Sequence, residues 1–283
     1  MQYDVNLSGC VALVTGAGRG FGWGIAVAVA RAGARVCVTD VNEDDITRAV
    51  SDIEAEGGTA WGRVLDASDR DAFRAAVDEV VARWGRLDAL MHAAIYMPLV
   101  RFEALDDASW DRQLAVGLGG FYAGIRASRP TMVRQGRGHV IGIASGSSVR
   151  GYPYEVPYCT LKHAQEGMVQ ALAMETRHLG LAFNTVGPGA PIKTTRVSWE
   201  ELEAMPPDET RDWVDPRELG RAFAWLVAQE PARLSGFRLD AGPIVRTLDT
   251  EGPSFEPTAD KVSAYPDAFR ARAAWYAQQE EGA

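Results

Sequence analysis

Ser145, Tyr158 and Lys162 are the residues whose types and spacing suggest chemistry in this chain: the Tyr follows the Ser by thirteen residues and the Lys follows the Tyr by four. Residues 157–176 are rich in Ala, Leu, Met, Gln and Glu, which favours a helix. In a helix, residues four apart share one face, so a phenol and an ammonium face the same space. A free Tyr titrates near ~10 and is a poor base at neutrality, whereas a neighbouring cation favours the phenolate and moves that value down. A Tyr brought toward the working pH can exchange a proton with a reacting oxygen, and the Ser145 hydroxyl can hydrogen-bond to the same oxygen. The pair alone also matches a solvated helix surface, so the preceding chain has to decide between the two readings.

Residues 11–14 form a short apolar run, followed by Thr15-Gly16-Ala17-Gly18-Arg19-Gly20-Phe21-Gly22 and then a helical pattern over residues 24–32. In a strand, glycine turn and helix, the glycines admit a pyrophosphate close to the backbone, and the helix N-terminus offers it free N–H groups and a positive dipole end. Gly33 is the expected helix-closing residue. A second strand over residues 35–39 ends at Asp40, where a carboxylate can accept both ribose hydroxyls of an adenosine and repels a 2′-phosphate, so NAD is preferred over NADP. Arg19 in the loop acts the other way and keeps an NADP-dependent reductase as an alternative. Asp66, just past a third strand, is either a contact for the adenine side of the cofactor or a turn and helix-cap residue.

Helical and strand patterns then alternate: helices over residues 43–56, 69–84, 109–135, 157–179 and 215–229, and strands over 59–65, 87–92, 139–144, 181–186 and 237–239. Strands separated by helices of this length predict a doubly wound α/β fold, a mostly parallel seven-stranded sheet with helices on both faces. The helix over 109–135 contains Gly117, Gly119 and Gly120, each costing about 1 kcal/mol relative to Ala, so close packing, a kink or room for water is expected there. Residues 190–212, Pro-rich and polar with Trp199, fall where a substrate lid would sit. Residues 1–245 are expected to form one domain. Residues 246–283 form a C-terminal extension with a terminal helix over 267–279, able to cross to another subunit.

A chain of 283 residues with 47% hydrophobic content can bury a sizeable core. Its net charge of −9 argues against nucleic acid or an anionic membrane as partner and favours a small-molecule ligand. Three cysteines without a C-x-x-C fit a reducing compartment, and the N-terminus has no charged-then-apolar leader pattern, so a cytoplasmic location is expected. His139, His163 and His178 lack metal-ligand spacing, and no metal is expected.

Taken in order, the glycine loop, Asp40 and the Ser145/Tyr158/Lys162 set resemble the short-chain dehydrogenase/reductase superfamily in its shorter, single-domain branch, over about residues 6–245. Thr15, Gly16, Gly20 and Gly22 match its glycine loop, and Pro188-Gly189 its turn after the sixth strand, with Thr194 as the Thr near the nicotinamide amide. The resemblance implies a Rossmann fold and hydride transfer between a nicotinamide and a secondary alcohol or ketone. Tyr158 is then the acid/base, Ser145 orients the substrate oxygen, and Lys162 lowers the Tyr pKa and binds ribose. Arg19, Phe21, Asp66 and Ala93 are implied cofactor contacts, and Ile95, Tyr96, Ser147, Tyr152, Tyr154 and Trp199 are expected walls of a moderately apolar substrate pocket. A homo-oligomer, tetramer or dimer, is implied.

The chain departs from the pattern twice. His92-Ala93-Ala94-Ile95 stands where the family has Asn-Asn-Ala-Gly, with His92 expected to brace the sheet through a ring N–H. Gly117 stands where the family has the Asn that holds a water chain from the Lys to solvent, and a water held by helix carbonyls is expected in the missing volume. These departures motivate the rival reading, a catalytically weak NAD-binding sensor or scaffold.

Overall fold

The computed structural model describes residues 5–192 and 197–281. Seven strands, β1 (Val11–Thr15), β2 (Arg35–Asp40), β3 (Thr59–Val64), β4 (Ala89–His92), β5 (Gly138–Ile143), β6 (Leu181–Gly187) and β7 (Arg238–Asp240), pair in the order β3-β2-β1-β4-β5-β6-β7. Every pairing is parallel. Parallel neighbours need crossovers, and helices supply them: α1 (Gly20–Arg31), α2 (Glu43–Ala55), α3 (Arg70–Trp84), α4 (Asp107–Leu114), α5 (Gly120–Gln135), α6 (Val156–Thr176), and α7 (Trp199–Ala204), α8 (Pro207–Thr210) and α9 (Pro216–Ala228) between β6 and β7.

Alternate strand residues face opposite sides of a sheet, so the core splits in two. Ala12, Val14, Val36, Val38 and Met91 pack with α1, α2 and α9. Val11, Leu13, Cys37, Leu90 and Val140 pack with α3 and α5, around Phe73 and Phe121. The strand order reverses between β1 and β4, and the crevice outside the carboxyl ends there is where such sheets bind ligands.

Two stretches differ from the sequence expectation. The long helix over residues 109–135 is α4 and α5 joined by a π-helical turn, Ala115–Gly119. Such a turn shifts the hydrogen-bond ladder and turns carbonyls aside from it. Close packing accounts for Gly120, where a Cβ would stand 2.7 Å from the Ala67 carbonyl oxygen and 2.9 Å from the His92 ring. After β7 the chain forms α10 (Ala241–Glu251) and α11 (Ala259–Val262), although prolines interrupt the periodicity there. Pro243 falls within the first turn of α10, where its missing N–H costs no helical bond.

The terminal helix α12 (Pro266–Glu281) makes contacts with the β7 and α6 regions of its own chain. The ring of Phe269 stacks on Phe237 at 4.5 Å, and that of Tyr276 meets Phe237 edge-on at 5.5 Å. Arg272 also donates to the Glu166 carboxylate and to the Gly236 carbonyl.

Candidate active site

β5 ends in a single 3-10 turn, Gly146–Ser148, capped by Ser145, whose Oγ accepts the Ser147 N–H while Ser148 Oγ accepts the Ser145 N–H. Arg238, paired with Asp240 at 2.8 Å, donates to the Ser145 carbonyl at 3.1 Å. The serine is thus held from both sides of its peptide.

α6 starts with Pro157 in its first turn, and Tyr158 and Lys162 project from one face. Lys162 is only 4% exposed and its Nζ lies 5.4 Å from the centre of the Tyr158 ring. It donates to the Ile143 carbonyl and, at 3.2 Å, to Gln165 Oε1. Gln165 in turn donates from Nε2 to the Gly117 carbonyl at 3.0 Å. Burial lowers the Lys162 pKa to about 7, with the Glu166 carboxylate acting in the opposite direction. A lysine so near its titration point gains charge when a phenolate forms beside it, which links the two groups' protonation.

Where the family side chain would stand at Gly117, a Cβ would meet Ile95 Cδ1 and both Leu161 methyl groups at 3.0 Å. The space a Cβ would take at Gly117 is thus bordered by hydrocarbon, and the Gly117 carbonyl accepts from Gln165.

Ser145, Tyr158 and Lys162 open into one cavity of about 300 Å³, walled by Ile95, Ser147 and Tyr152 as expected from the sequence. Three other expected wall residues lie elsewhere. Tyr96 lines the neighbouring groove and is 45% exposed. Tyr154 sits at φ 68° in a left-handed turn that carries its ring out to solvent under Arg101. Trp199 packs edge-on against Trp23 at 5.0 Å with Arg48 over its ring, because α7 docks on α1 and α2. Of the expected lid, Ile192 reaches the cavity, and Thr194 lies outside the described residues.

Ala93 and Ile95 are shared with the second groove, which runs past Gly16, Arg19, Asp40 and Asp66. This groove fits a dinucleotide. Gly16 (φ 61°) leaves no room for a Cβ, which would stand 2.6 Å from Ala94 Cα, and a Cβ on Gly22 would stand 2.1 Å from the Gly16 carbonyl oxygen. The Arg19 side chain makes no capping bond at the start of α1, and no acidic residue lies in its first turn, so its N–H groups face the loop. Phe21 and Gly22 reach the first cavity, as does Pro188, whereas Gly189 packs beneath it against Asp240 and Pro243. Asp40 accepts the N–H groups of Gly18 and Val41. Arg19 lies 3.9 Å from Asp45. Burial alone would raise the Asp66 carboxyl, but hydrogen bonds from Arg112 and Ser68 hold it below its ordinary value.

His92 ties three elements together. Ala94 N–H donates to Thr15 Oγ1, leaving the Thr15 hydroxyl proton for His92 Nδ1 at 3.0 Å, so Nε2–H donates to the Val116 carbonyl at 3.2 Å. The imidazole is neutral in that arrangement. Burial, with the Lys162 charge, lowers its pKa to about 4, and burial with the Arg137 charge lowers His139 to about 3. Both groups bind protons in the unfolded chain, near pH 6.5, before they do so in the folded one. The stability these groups contribute is therefore full above pH 6.5 and is lost as pH falls, by about 3 kcal/mol for His92 as pH drops toward 4 and about 5 kcal/mol for His139 as it drops toward 3. Thermal melts at pH 7 and pH 4.5 check this. Equal melting temperatures for the wild type, or a His92→Asn/His139→Asn variant with the same acid sensitivity, would contradict it.

Sequence reasoning did not single out Glu155, Gln165 or Arg112. Glu155 and Gln165 stand three residues before Tyr158 and three after Lys162, so the helical spacing that marked the pair also placed them near its face. Nothing in the sequence points to Arg112, whose partner Asp66 lies 46 residues away.

A glycine cradle at the reversal of a parallel sheet, opening onto a Ser/Tyr/Lys cavity, defines a dinucleotide-binding oxidoreductase. Residues 10–204 match the family model described as short chain dehydrogenase, and the chain belongs to that family. It is 30% identical over 242 residues to a D-threitol dehydrogenase of Mycolicibacterium smegmatis, covering 83% of this chain and 92% of the relative. A metagenomic short-chain oxidoreductase in complex with NADP superposes with a TM-score of 0.70 at 29% identity, over 82% of this chain and 97% of the other. The fold is also that of carveol dehydrogenase from Mycobacterium avium, in complex with NAD, with a TM-score of 0.73 at 22% identity over 83% and 97% of the two chains. Among the described residues, no helix is long and apolar enough to cross a membrane.

Proposed function

We propose that this protein interconverts a secondary alcohol and a ketone with NAD(H), Tyr158 exchanging the proton. The observation that carries the reading is the single cavity in which Ser145, Tyr158 and Lys162 meet, continuous through Ala93 and Ile95 with the glycine groove. The bound nicotinamide supplies the hydride chemistry. The chain supplies position and a proton: Ser145 holds the substrate oxygen, Tyr158 exchanges its proton, and Lys162 biases Tyr158 toward the phenolate. Apolar side chains such as Met97 and Ile192 on the cavity wall favour a moderately apolar alcohol. The test is reduction of NAD by a panel of cyclic, aromatic, steroidal and sugar alcohols; binding of NAD with no turnover across the panel would favour the sensor or scaffold reading.

For cofactor choice, the Asp40 carboxylate lines the groove with Arg19, and Asp45 lies 3.9 Å from Arg19, which supports NAD. Arg112 on the same groove is the observation that favours NADP, and its pairing with Asp66 reduces it. NADH is expected to bind about tenfold more tightly than NADPH, and Asp40→Ala to remove most of that preference, since repulsion of the 2′-phosphate is worth on the order of 1–2 kcal/mol. Fluorescence titrations with both nucleotides decide it, and tighter NADPH binding by the wild type would overturn the assignment.

A further inference from the structure

We propose that the proton taken up by Tyr158 leaves through Ser145 and Ser147 to the carboxylate of Glu155, and not past Lys162. The proposal rests on the alcohol-oxidising reading above and specifies its proton path.

The lysine side is closed by chemistry as well as by packing. Lys162 donates to the Ile143 carbonyl and to the Gln165 amide oxygen, and Gln165 donates to the Gly117 carbonyl. Carbonyl and amide oxygens accept hydrogen bonds, but near neutral pH they do not take up a proton and release another. The Gly117 side is filled by the methyl groups of Ile95 and Leu161, which offer no hydrogen-bonding group. Gln165 is 1% exposed, so this end of the site is buried. It orients the lysine without offering a route outward.

On the other side a chain of exchangeable groups begins at the catalytic serine. Ser145 Oγ donates to Ser147 Oγ at 3.4 Å, and Ser147 Oγ donates to Glu155 Oε2 at 2.8 Å. The first link is long and shortens with modest serine movement, as such contacts do when a site is filled. Each hydroxyl can accept one proton while giving up another, and the chain ends on a group that can hold one. Ser147 is 2% exposed, whereas Glu155 is half-buried between exposed Tyr154 and Val156. The left-handed turn at Tyr154 brings the chain around so that the carboxylate lines the cavity.

In the oxidising direction, the alcohol C–H bond breaks with its electron pair leaving as hydride to the nicotinamide, and the alcohol O–H proton passes to the Tyr158 phenolate. Tyr158 then gives its proton to Ser145 Oγ, which releases its own to Ser147. Ser147 protonates Glu155, and Glu155 discharges to solvent. One proton and one hydride leave the alcohol, and the phenolate is restored.

The test uses full-length wild type, Glu155→Gln and Ser147→Ala, with NAD and whichever alcohol of the panel the wild type oxidises fastest, in dilute buffer. Both variants are expected to bind NADH within about twofold of wild type and to lose about tenfold in kcat with little change in KM. In Glu155→Gln, added imidazole or formate should restore most of the lost rate while leaving the wild type unaffected. An unchanged kcat in either variant overturns the relay. A rise in KM alone, or a loss of kcat that buffer does not rescue, assigns Glu155 to substrate contact or structure and also overturns it. If the wild type oxidises no alcohol, the parent reading fails first and the relay falls with it; NADH formation by the wild type separates the two.

Discussion

Tyr158→Phe is expected to lower kcat by about a thousandfold while leaving NADH affinity within about twofold. The substitution removes one oxygen and keeps the ring, whose centre lies 5.4 Å from Lys162 Nζ. Lys162 then faces a ring without an ionisable group, and no neighbour replaces the proton donor: Ser145 keeps its hydroxyl, but an aliphatic hydroxyl is a far weaker acid than a phenol. The loss should appear in kcat and in kcat/KM alike, the signature of an interaction made in the transition state. Steady-state oxidation of the best alcohol, with a fluorescence titration of NADH, provides both numbers. A loss smaller than about tenfold would remove Tyr158 from the acid/base role.

Gly22→Val is expected to weaken NADH binding by at least about a hundredfold, or about 2.7 kcal/mol, and to lower the melting temperature by several degrees. The cause is geometric. At Gly22 a Cβ would stand 2.1 Å from the Gly16 carbonyl oxygen, and the atom in the way is backbone, which cannot turn aside as a side-chain end can. Gly16 is itself confined by Ala94, so the loop has to open at the point where β1 hands over to α1. The comparison that isolates this cause is Gly167→Ala in α6, where nothing lies within 4 Å of the added carbon and binding should be unchanged. Wild-type NADH affinity in Gly22→Val would mean that the loop does not cradle the cofactor.

The two departures from the family pattern resolve differently once the fold is present. At position 92 the imidazole bridges Thr15 and Val116, joining β1, β4 and the π-helical turn, and its stacking on Phe121 needs Gly120 to have no side chain. At position 117 the missing amide is met from another helix: Gln165 supplies an amide group between Lys162 and the Gly117 carbonyl. The lysine is oriented in spite of the glycine, and the route past it to solvent is what the substitution removes.

What the sequence by itself determined is local in origin. Tyr158 and Lys162 share a face because both lie on one helix and the helical repeat places them there. The glycine loop was legible because strand, turn and helix are consecutive, and the alternation of strands and helices carried the parallel sheet with it. The identity of the family followed from these in combination. What only the tertiary structure decided depends on groups far apart in the chain or on irregular backbone. The pairing of Arg112 with Asp66, the hold of Arg238 on Ser145, and the filling of the Gly117 volume by Ile95 and Leu161 each join separate elements. Tyr154 and Trp199 lie near the site in sequence but face away from the cavity, one turned by a left-handed residue and the other captured by Trp23. Periodicity sets the direction of a side chain within a helix or strand. Where the backbone is irregular, that direction is set by whichever distant surface the side chain packs against.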